Sequence, residues 1–269
     1  MSSINKALPN ESVIPIIESR VFDEHPDARF AVGKLAIGNQ ALPGLEQEHA
    51  AYYDLRRKVY VEQTGQLDES ALNEDGTDRD ADDSRSVAFG IIENLGSRQR
   101  LVGSMRLIHK GFKDATGKSD DRPLPVEEFC PGIFEDNPAP INSLEVSRYI
   151  VRHEKASMQR TLKWPLFSAA LAHITGNNLG PTYAVIEEWL EKDFKSYLPM
   201  ERIGEPRFVP EYLDVNLPIK IHTDQLAANI ESKTPGAITE MQRNDGRMSY
   251  FGRLAVQAAS TEEPMAIAG

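Results

Sequence analysis

One cysteine, Cys130, stands in a chain of 269 residues. No disulfide can close within the chain, which fits a reducing compartment. Cys130 lies between Phe129 and Pro131, with no histidine near it in sequence. A reactive thiol needs a neighbour that lowers its pKa, so Cys130 reads as a packing residue. Positive charge is scarce: 30 Lys and Arg face 41 Asp and Glu, a net charge of −11. That average field repels a phosphate backbone, and nucleic acid is not expected as a partner. Long apolar runs are also missing. The best, Leu166 to Ile174, is interrupted by Ser168 and His173 and is too short to span a bilayer. The opening stretch MSSINKALPNESVIPIIESR has no apolar core of signal-peptide length. No membrane span and a cytoplasmic location are therefore expected. His109, His153, His173 and His222 show no metal-ligand spacing, and no metal site is expected.

What is present suits a globular protein: 40% hydrophobic and 26% charged residues. The expected organisation is an N-terminal arm over 1–44, one domain over 45–225 and a mobile C-terminal tail over 226–269. The arm holds one strand-like run, Arg29 to Ile37. Ala50, Tyr53, Leu55, Val59 and Tyr60 recur at helical spacing within 46–62. Residues 68–86 form a loop with eight acidic side chains. Val87–Ile92 and Leu101–Ile108 then read as an antiparallel hairpin across a polar connection. Residues 110–143 read as loop with one helical turn. A strand follows over Ser143–Val151, then a helix over 157–175 with Ser157 as N-cap and Gly176 as its stop. A strand (Tyr183–Ile186), a helix (189–198) and two strands (Pro206–Val209, Leu217–Ile221) complete the domain. This order predicts an α/β chain, a mixed sheet with helices on both faces.

Three segments hold charge where a plain strand would not. Arg106 interrupts Val102-Gly103-Ser104-Met105-Arg106-Leu107, and on the strand alone it reads as a solvated side chain. Alternation in Glu145-Val146-Ser147-Arg148-Tyr149-Ile150-Val151 puts Glu145, Ser147, Tyr149 and Val151 on one face, with Val146, Arg148 and Ile150 on the other. Arg148 between two β-branched neighbours implies an edge strand or a buried charge that must be paired. The acidic loop offers partners in Asp78, Asp80 and Asp83. By itself that run reads as solvated charge or a weak cation site, without the twelve-residue calcium-loop pattern.

In order, these segments resemble the acyl-homoserine-lactone (autoinducer) synthases and their relatives in the GNAT superfamily, among them N-acyl amino acid synthases and exosortase-associated acyltransferases. Leu55-Arg56-Arg57-Lys58-Val59-Tyr60 looks like the family's L-R-x-x-V-F. Asp78, Asp80 and Asp83 answer its E-x-D-x-x-D, and Gly103, Arg106 and Leu107 answer G-x-x-R-L. Leu124-Pro125-Val126-Glu127-Glu128-Phe129 is similar to L-P-x-E-x-F, and Glu145, Ser147, Arg148 and Tyr149 match E-x-S-R-[FLY]. The likeness runs over about residues 50–222. Two departures matter. Gln66 stands where the autoinducer synthases carry a tryptophan beside their S-adenosylmethionine pocket. Residues 152–159 (RHEKASMQ) lack the glycines of the general GNAT diphosphate loop.

The resemblance implies a GNAT-like twisted central sheet and an acyltransferase with no tightly bound cofactor. An acyl carrier protein or acyl-CoA thioester would be the donor, the carrier protein being favoured by the missing glycines. A small, amino acid-like amine would be the acceptor. It implies catalytic roles for Glu145 as general base and for Arg148 and Tyr149, with backbone over Tyr149–Arg152 facing the oxyanion. Arg56, Asp80, Asp83 and Arg106 would shape the amine pocket. Arg152, Lys155, Ala156, Ser157 and Arg160 would receive the donor, with Lys163 completing a basic cluster. Two rivals stand beside this reading. One is an S-adenosylmethionine-dependent acyl-homoserine-lactone synthase, which methylthioadenosine release would reveal. The other is a non-catalytic GNAT-like binding protein, which would lack an open V beside Glu145.

Overall fold

A computed structural model describes residues 14–114, 116–210, 214–244 and 247–251. The first part of the chain forms β1 (Ile16–Ile17), β2 (Phe30–Ile37), β3 (Gln40–Ala41) and α1 (Glu46–Arg57), which runs into one π-helical segment, Lys58–Gln63. The hairpin β4 (Ser86–Asn94) and β5 (Gln99–His109) follows. A small ribbon, β6 (Phe112–Lys113) and β7 (Ser119–Asp120), precedes the short helices α2 (Pro125–Phe129) and α3 (Pro131–Phe134). Next come β8 (Leu144–Val151), α4 (Ala156–Thr161), α5 (Lys163–Gly176), β9 (Thr182–Glu187) and α6 (Glu191–Lys195). The chain then adds β10 (Met200–Arg202), β11 (Arg207–Val209), β12 (Asp214–Ile221), α7 (Thr223–Lys233), α8 (Ala237–Arg243) and β13 (Ser249–Phe251).

The main sheet runs β10-β12-β9-β8-β5-β4-β2-β13. Its neighbours pair antiparallel except β8 and β9, which are parallel. Helix α5 covers one face. Phe89, Met105, Leu107, Leu144, Ala184 and Leu217 pack there against Leu166, Ala170 and Ile174. Helix α1 covers the other face, setting Tyr52, Leu55 and Val59 against Ala88, Ile92, Leu101 and Ile150. Leu124, Val126 and Phe134 extend that face below Tyr183. The mixed sheet with helices on both faces agrees with the sequence pattern. In α1, Glu46 and Glu48 lie in the first turn and Arg56 and Arg57 in the last, which suits the helix dipole.

Two boundaries differ from expectation. The helix expected over 157–175 breaks at Leu162 into α4 and α5. Pro165 has no N–H to donate, so it is accommodated in the first turn of a new helix rather than the middle of a long one. The N-cap of α4 is Lys155, not Ser157, and no side chain caps it.

The division into arm, domain and tail also requires correction. The arm 1–44 supplies β2, an inner strand between β4 and β13. The tail expected from 226 instead continues α7, adds α8 and ends in β13 paired with β2. Residues 1–13 and 252–269 lie outside the described residues. Leu226, Ile230, Ile238 and Met241 explain the folded C-terminal part. They are few in a polar stretch, so the period is faint, yet all four are buried in the core shared with α5. Ile230→Ala should lower unfolding free energy by about 2–5 kcal/mol, the usual range for such a truncation in a core. Urea unfolding measures this; an unchanged midpoint would place α7 outside the cooperative unit.

Candidate active site

Strands β8 and β9 pair over three residues only, Leu144–Val146 with Thr182–Ala184. Beyond them β8 stays with β5 and β9 stays with β12, so a V opens between Ser147–Val151 and Val185–Glu187. The cleft holds about 400 Å³. A β-bulge sits on its β8 side. Arg106 lies opposite Ser147 and Ser104 opposite Ile150, so Arg148 and Tyr149 together face Met105. Arg148 absorbs the extra residue with a left-handed φ of 52°. Such a conformation costs on the order of 1–3 kcal/mol and persists only where surroundings impose it. The bulge breaks the alternation expected from sequence. Arg148 stays with Glu145 and Ser147 on the acidic-loop face, while the Tyr149 ring turns to the α5 face and stacks on Phe167 at 5.2 Å.

The acidic-loop face is held by a buried ion network. Arg56, 0% exposed, reaches Asp83 at 2.7 Å, Asp78 at 3.0 Å and the Tyr52 hydroxyl at 2.9 Å. Arg106 donates to Asp80 at 2.6 Å, to Asp83 at 2.9 Å and to the Ser147 hydroxyl at 3.2 Å. Arg148 lies 3.3 Å from Asp78 and 3.4 Å from Asp80. Asp80 also caps the short helical turn Ala81–Arg85 in a capping box with Asp83. Burial raises the Asp80 and Asp83 pKa values, but the adjacent arginines outweigh it and hold both carboxyls below their ordinary range.

The two faces of the cleft differ chemically. On the α5 face Tyr149, Phe167, Leu190, Phe194 and Leu198 make an apolar wall. On the other face stand Tyr60, Gln66, Glu145, Arg148 and Glu187. Glu145 is buried near the closed end of the V, and its Oε2 accepts from the Val126 amide at 2.7 Å. Burial pushes its pKa up to about 8. The Tyr60 hydroxyl donates to the Tyr149 carbonyl at 3.2 Å, tying the π-helical segment to the bulge. Gln66 donates to Glu187 across the mouth. Arg152 lines the far end, where burial lowers its pKa.

Comparison with known proteins gives one family match and several similar folds. Residues 55–162 match the acetyltransferase (GNAT) domain family. The fold is that of TofI, solved in a ternary complex with an inhibitor and MTA, at 20% identity and a TM-score of 0.52 over 78% of this chain and 99% of that one. The chain is similar over residues 55–162 to acetyltransferases of the GNAT kind. Two further structures are similar at lower scores. BjaI, a CoA-dependent acyl-homoserine lactone synthase solved with SAM and isopentyl-CoA, has 20% identity and a TM-score of 0.48 over 68% of this chain and 79% of that one. FeeM, an N-acyl amino acid synthase from uncultured soil microbes, has 16% identity and a TM-score of 0.49 over 75% and 95%. No curated protein matches the sequence.

Within the matched residues, Glu145, Arg148, Tyr149 and Arg152 line the cleft. Arg56, Asp80, Asp83 and Arg106 converge as one network, but they lie behind the cleft wall rather than in it. Lys155, Ala156, Ser157 and Arg160 are exposed and do not line the cleft, whereas Gln159 and Lys163 do. Two residues of the cleft region stand outside the expected site set. Asp78, a member of the acidic run without an assigned role, is buried between Arg56 and Arg148. Glu187 lies one residue past the strand read from the sequence, and extending the period of two from Tyr183 and Val185 would have found it. Among the described residues, no helix is long and apolar enough to cross a membrane.

Asp83 bridges Arg56 and Arg106, so Asp83→Ala leaves two buried guanidinium groups short of a counter-charge. A loss of about 3–5 kcal/mol in stability is expected. Asp75 is exposed and accepts from its own turn at Thr77, and Asp75→Ala should be near neutral. Thermal melts of both variants check this, and equal melting points would reduce the network to solvated charge. Because the native Asp80 and Asp83 pKa values are depressed, their stabilisation is present above the ordinary carboxylate range and lost as pH falls through the depressed values.

Proposed function

We propose that this domain transfers a fatty acyl group from a carrier-protein or coenzyme A thioester to the amine of a small acceptor. The carrying observation is the two-sided V. An acyl chain suits the aromatic α5 wall, and a polar acceptor suits the face with Glu145, Arg148 and Glu187. The two would meet at the bulge. The amine nitrogen attacks the thioester carbonyl carbon, an N–C bond forms, the C–S bond breaks, and the thiolate takes a proton. Glu145 serves as the base, directly or through water, as the E-x-S-R resemblance implies. Backbone beside Tyr149–Arg152 faces the developing oxyanion. Arg56, Asp80, Asp83 and Arg106 act indirectly, by holding Arg148 and the bulge in place. Arg152 and Lys163 attract the acidic donor, and Arg152 is a half-buried cation whose lowered pKa marks it as short of counter-charge. A cytoplasmic setting is part of this reading.

Gln66 in place of the autoinducer-synthase tryptophan favours an acceptor other than S-adenosylmethionine. Mass spectrometry of lipids from cells overexpressing the protein would name both substrates. An acyl-homoserine lactone accompanied by methylthioadenosine would instead establish the synthase reading, and a chain that forms no acyl product would support the binding-protein reading.

Glu145→Gln should retain the fold, since a glutamine oxygen can still accept from Val126, and should cut turnover by about 10²–10⁴-fold. In the wild type, turnover should rise with pH as Glu145 ionises near pH 8. Stability has the opposite sign. The folded pKa lies above the unfolded one, so the wild type should lose stability relative to Glu145→Gln as pH rises from about 4.5 toward about 8. Paired melts across that window test the assignment, and parallel curves would contradict it. Arg152→Glu should raise the donor KM about tenfold or more at low salt, with the effect shrinking as ionic strength rises. An unchanged donor KM would move donor docking elsewhere.

A further inference from the structure

Glu187 is placed and oriented in a way that acyl transfer alone does not require. It ends β9, half-buried, where the cleft opens on the acidic-loop face. Its carboxylate accepts from Gln66 Nε2 on the segment that follows the π-helical turn. The other end of that amide is also fixed, because Gln66 Oε1 lies 3.0 Å from the Thr64 hydroxyl. Gln66 is therefore held so that its N–H groups point at Glu187 and help to set the carboxylate's direction. An amide is an uncharged partner, and it leaves the negative charge without an equal counter-charge. Burial raises the Glu187 pKa, and the nearby Asp214 charge raises it further. Across the cleft the cation at the far end is Arg152, while Arg148 is paired with Asp78 and Asp80 and Lys163 with Asp193. The two walls thus offer one end to an anion and the other to a cation.

We propose that Glu187, oriented by Gln66, binds the positively charged amine of the acceptor, which is a small molecule carrying a primary ammonium. This deepens the acyl-transfer reading and rests on it for the identity of the reaction. An ammonium entering at the mouth would find a preset carboxylate and would supply the charge that Gln66 cannot. It would be drawn away from the cationic donor end, so donor and acceptor would not compete for one region of the cleft. The bound amine would lie on the polar face that carries Glu145, but nearer the mouth, since Glu145 stands opposite Tyr183, four residues before Glu187 on β9; its proton would therefore pass to Glu145 through water.

The test uses the full chain and two probes. Ligand-observed NMR titrates n-butylammonium and its neutral isostere n-butanol, and octanoyl-CoA binding is measured separately. The wild type should prefer the ammonium at least tenfold. Glu187→Gln, which keeps an oxygen for Gln66, should abolish that preference and leave octanoyl-CoA affinity within about twofold. Gln66→Ala should weaken the preference several-fold without removing it, because the charge remains while its orientation is lost. A wild type that does not distinguish the two probes, or a Glu187→Gln variant that still does, overturns the proposal. Loss of octanoyl-CoA binding in Glu187→Gln would also overturn it, since the residue would then be supporting the whole cleft. Failure of the wild type to bind octanoyl-CoA while it still prefers the ammonium would remove the acyl-donor reading and leave the amine site standing.

Discussion

The backbone of Arg148 is left-handed in the middle of a sheet strand, and the cleft depends on it. No turn or glycine supplies that conformation; the side chain does. Asp78 and Asp80 hold the guanidinium, and the Tyr60 ring lies 5.3 Å from it. With Arg148 fixed, β8 accommodates one residue more than β5 can pair. The strand bends away from β9, and the V opens. The ion network therefore acts on the site without entering it. Three arginines within reach of one another would repel, and three aspartates would too. Interleaved, they form a rigid mount for one strained residue.

The same bulge separates two chemistries. Without it Tyr149 and Glu145 would share a face, and an aromatic ring would crowd the polar wall. With it Tyr149 joins Phe167, Phe194 and Tyr197 in an aromatic cluster, and the face around Glu145 stays polar. The Tyr60 hydroxyl, bonded to the Tyr149 carbonyl, links the two sides at the point where they part. One extra residue in one strand thus makes an apolar groove and a charged pocket meet along a shared edge.

Much of this was legible in the sequence, for a specific reason. Arg148 is a charge in a strand-like run, and a buried charge implies a buried partner, which the acidic loop offers. The family resemblance then groups Arg56, Asp80, Asp83 and Arg106 with it, although the chain separates Arg56 from Arg148 by more than 90 positions. The strands and their order followed from period-two alternation. The facing of Tyr149 did not, because alternation assumes regular pairing and a bulge is visible only against its partner strand. The C-terminal helices were hidden because four buried residues anchor them within a polar stretch. Lys155 and Arg160 looked like donor contacts because they are basic and close in sequence. The break at Leu162 and the placement of α4 leave them on the outside, with Gln159 and Lys163 inside.

Gln66 shows how a departure from a family pattern can be read in reverse. In sequence it is only an absence, a missing tryptophan that argues against one acceptor. In the structure it is a presence, an amide fixed between Thr64 and Glu187 at the mouth of the cleft. An indole at that position could offer one N–H and a flat apolar face; an amide offers both a donor and an acceptor with little bulk. The change replaces a stacking surface by a polar clamp on a carboxylate. Such a clamp suits an acceptor recognised by charge and hydrogen bonds more than by its aromatic or sulfonium surface. The identity of one side chain at the rim would then choose the acceptor, while the bulge and its ion network keep the reaction geometry the same.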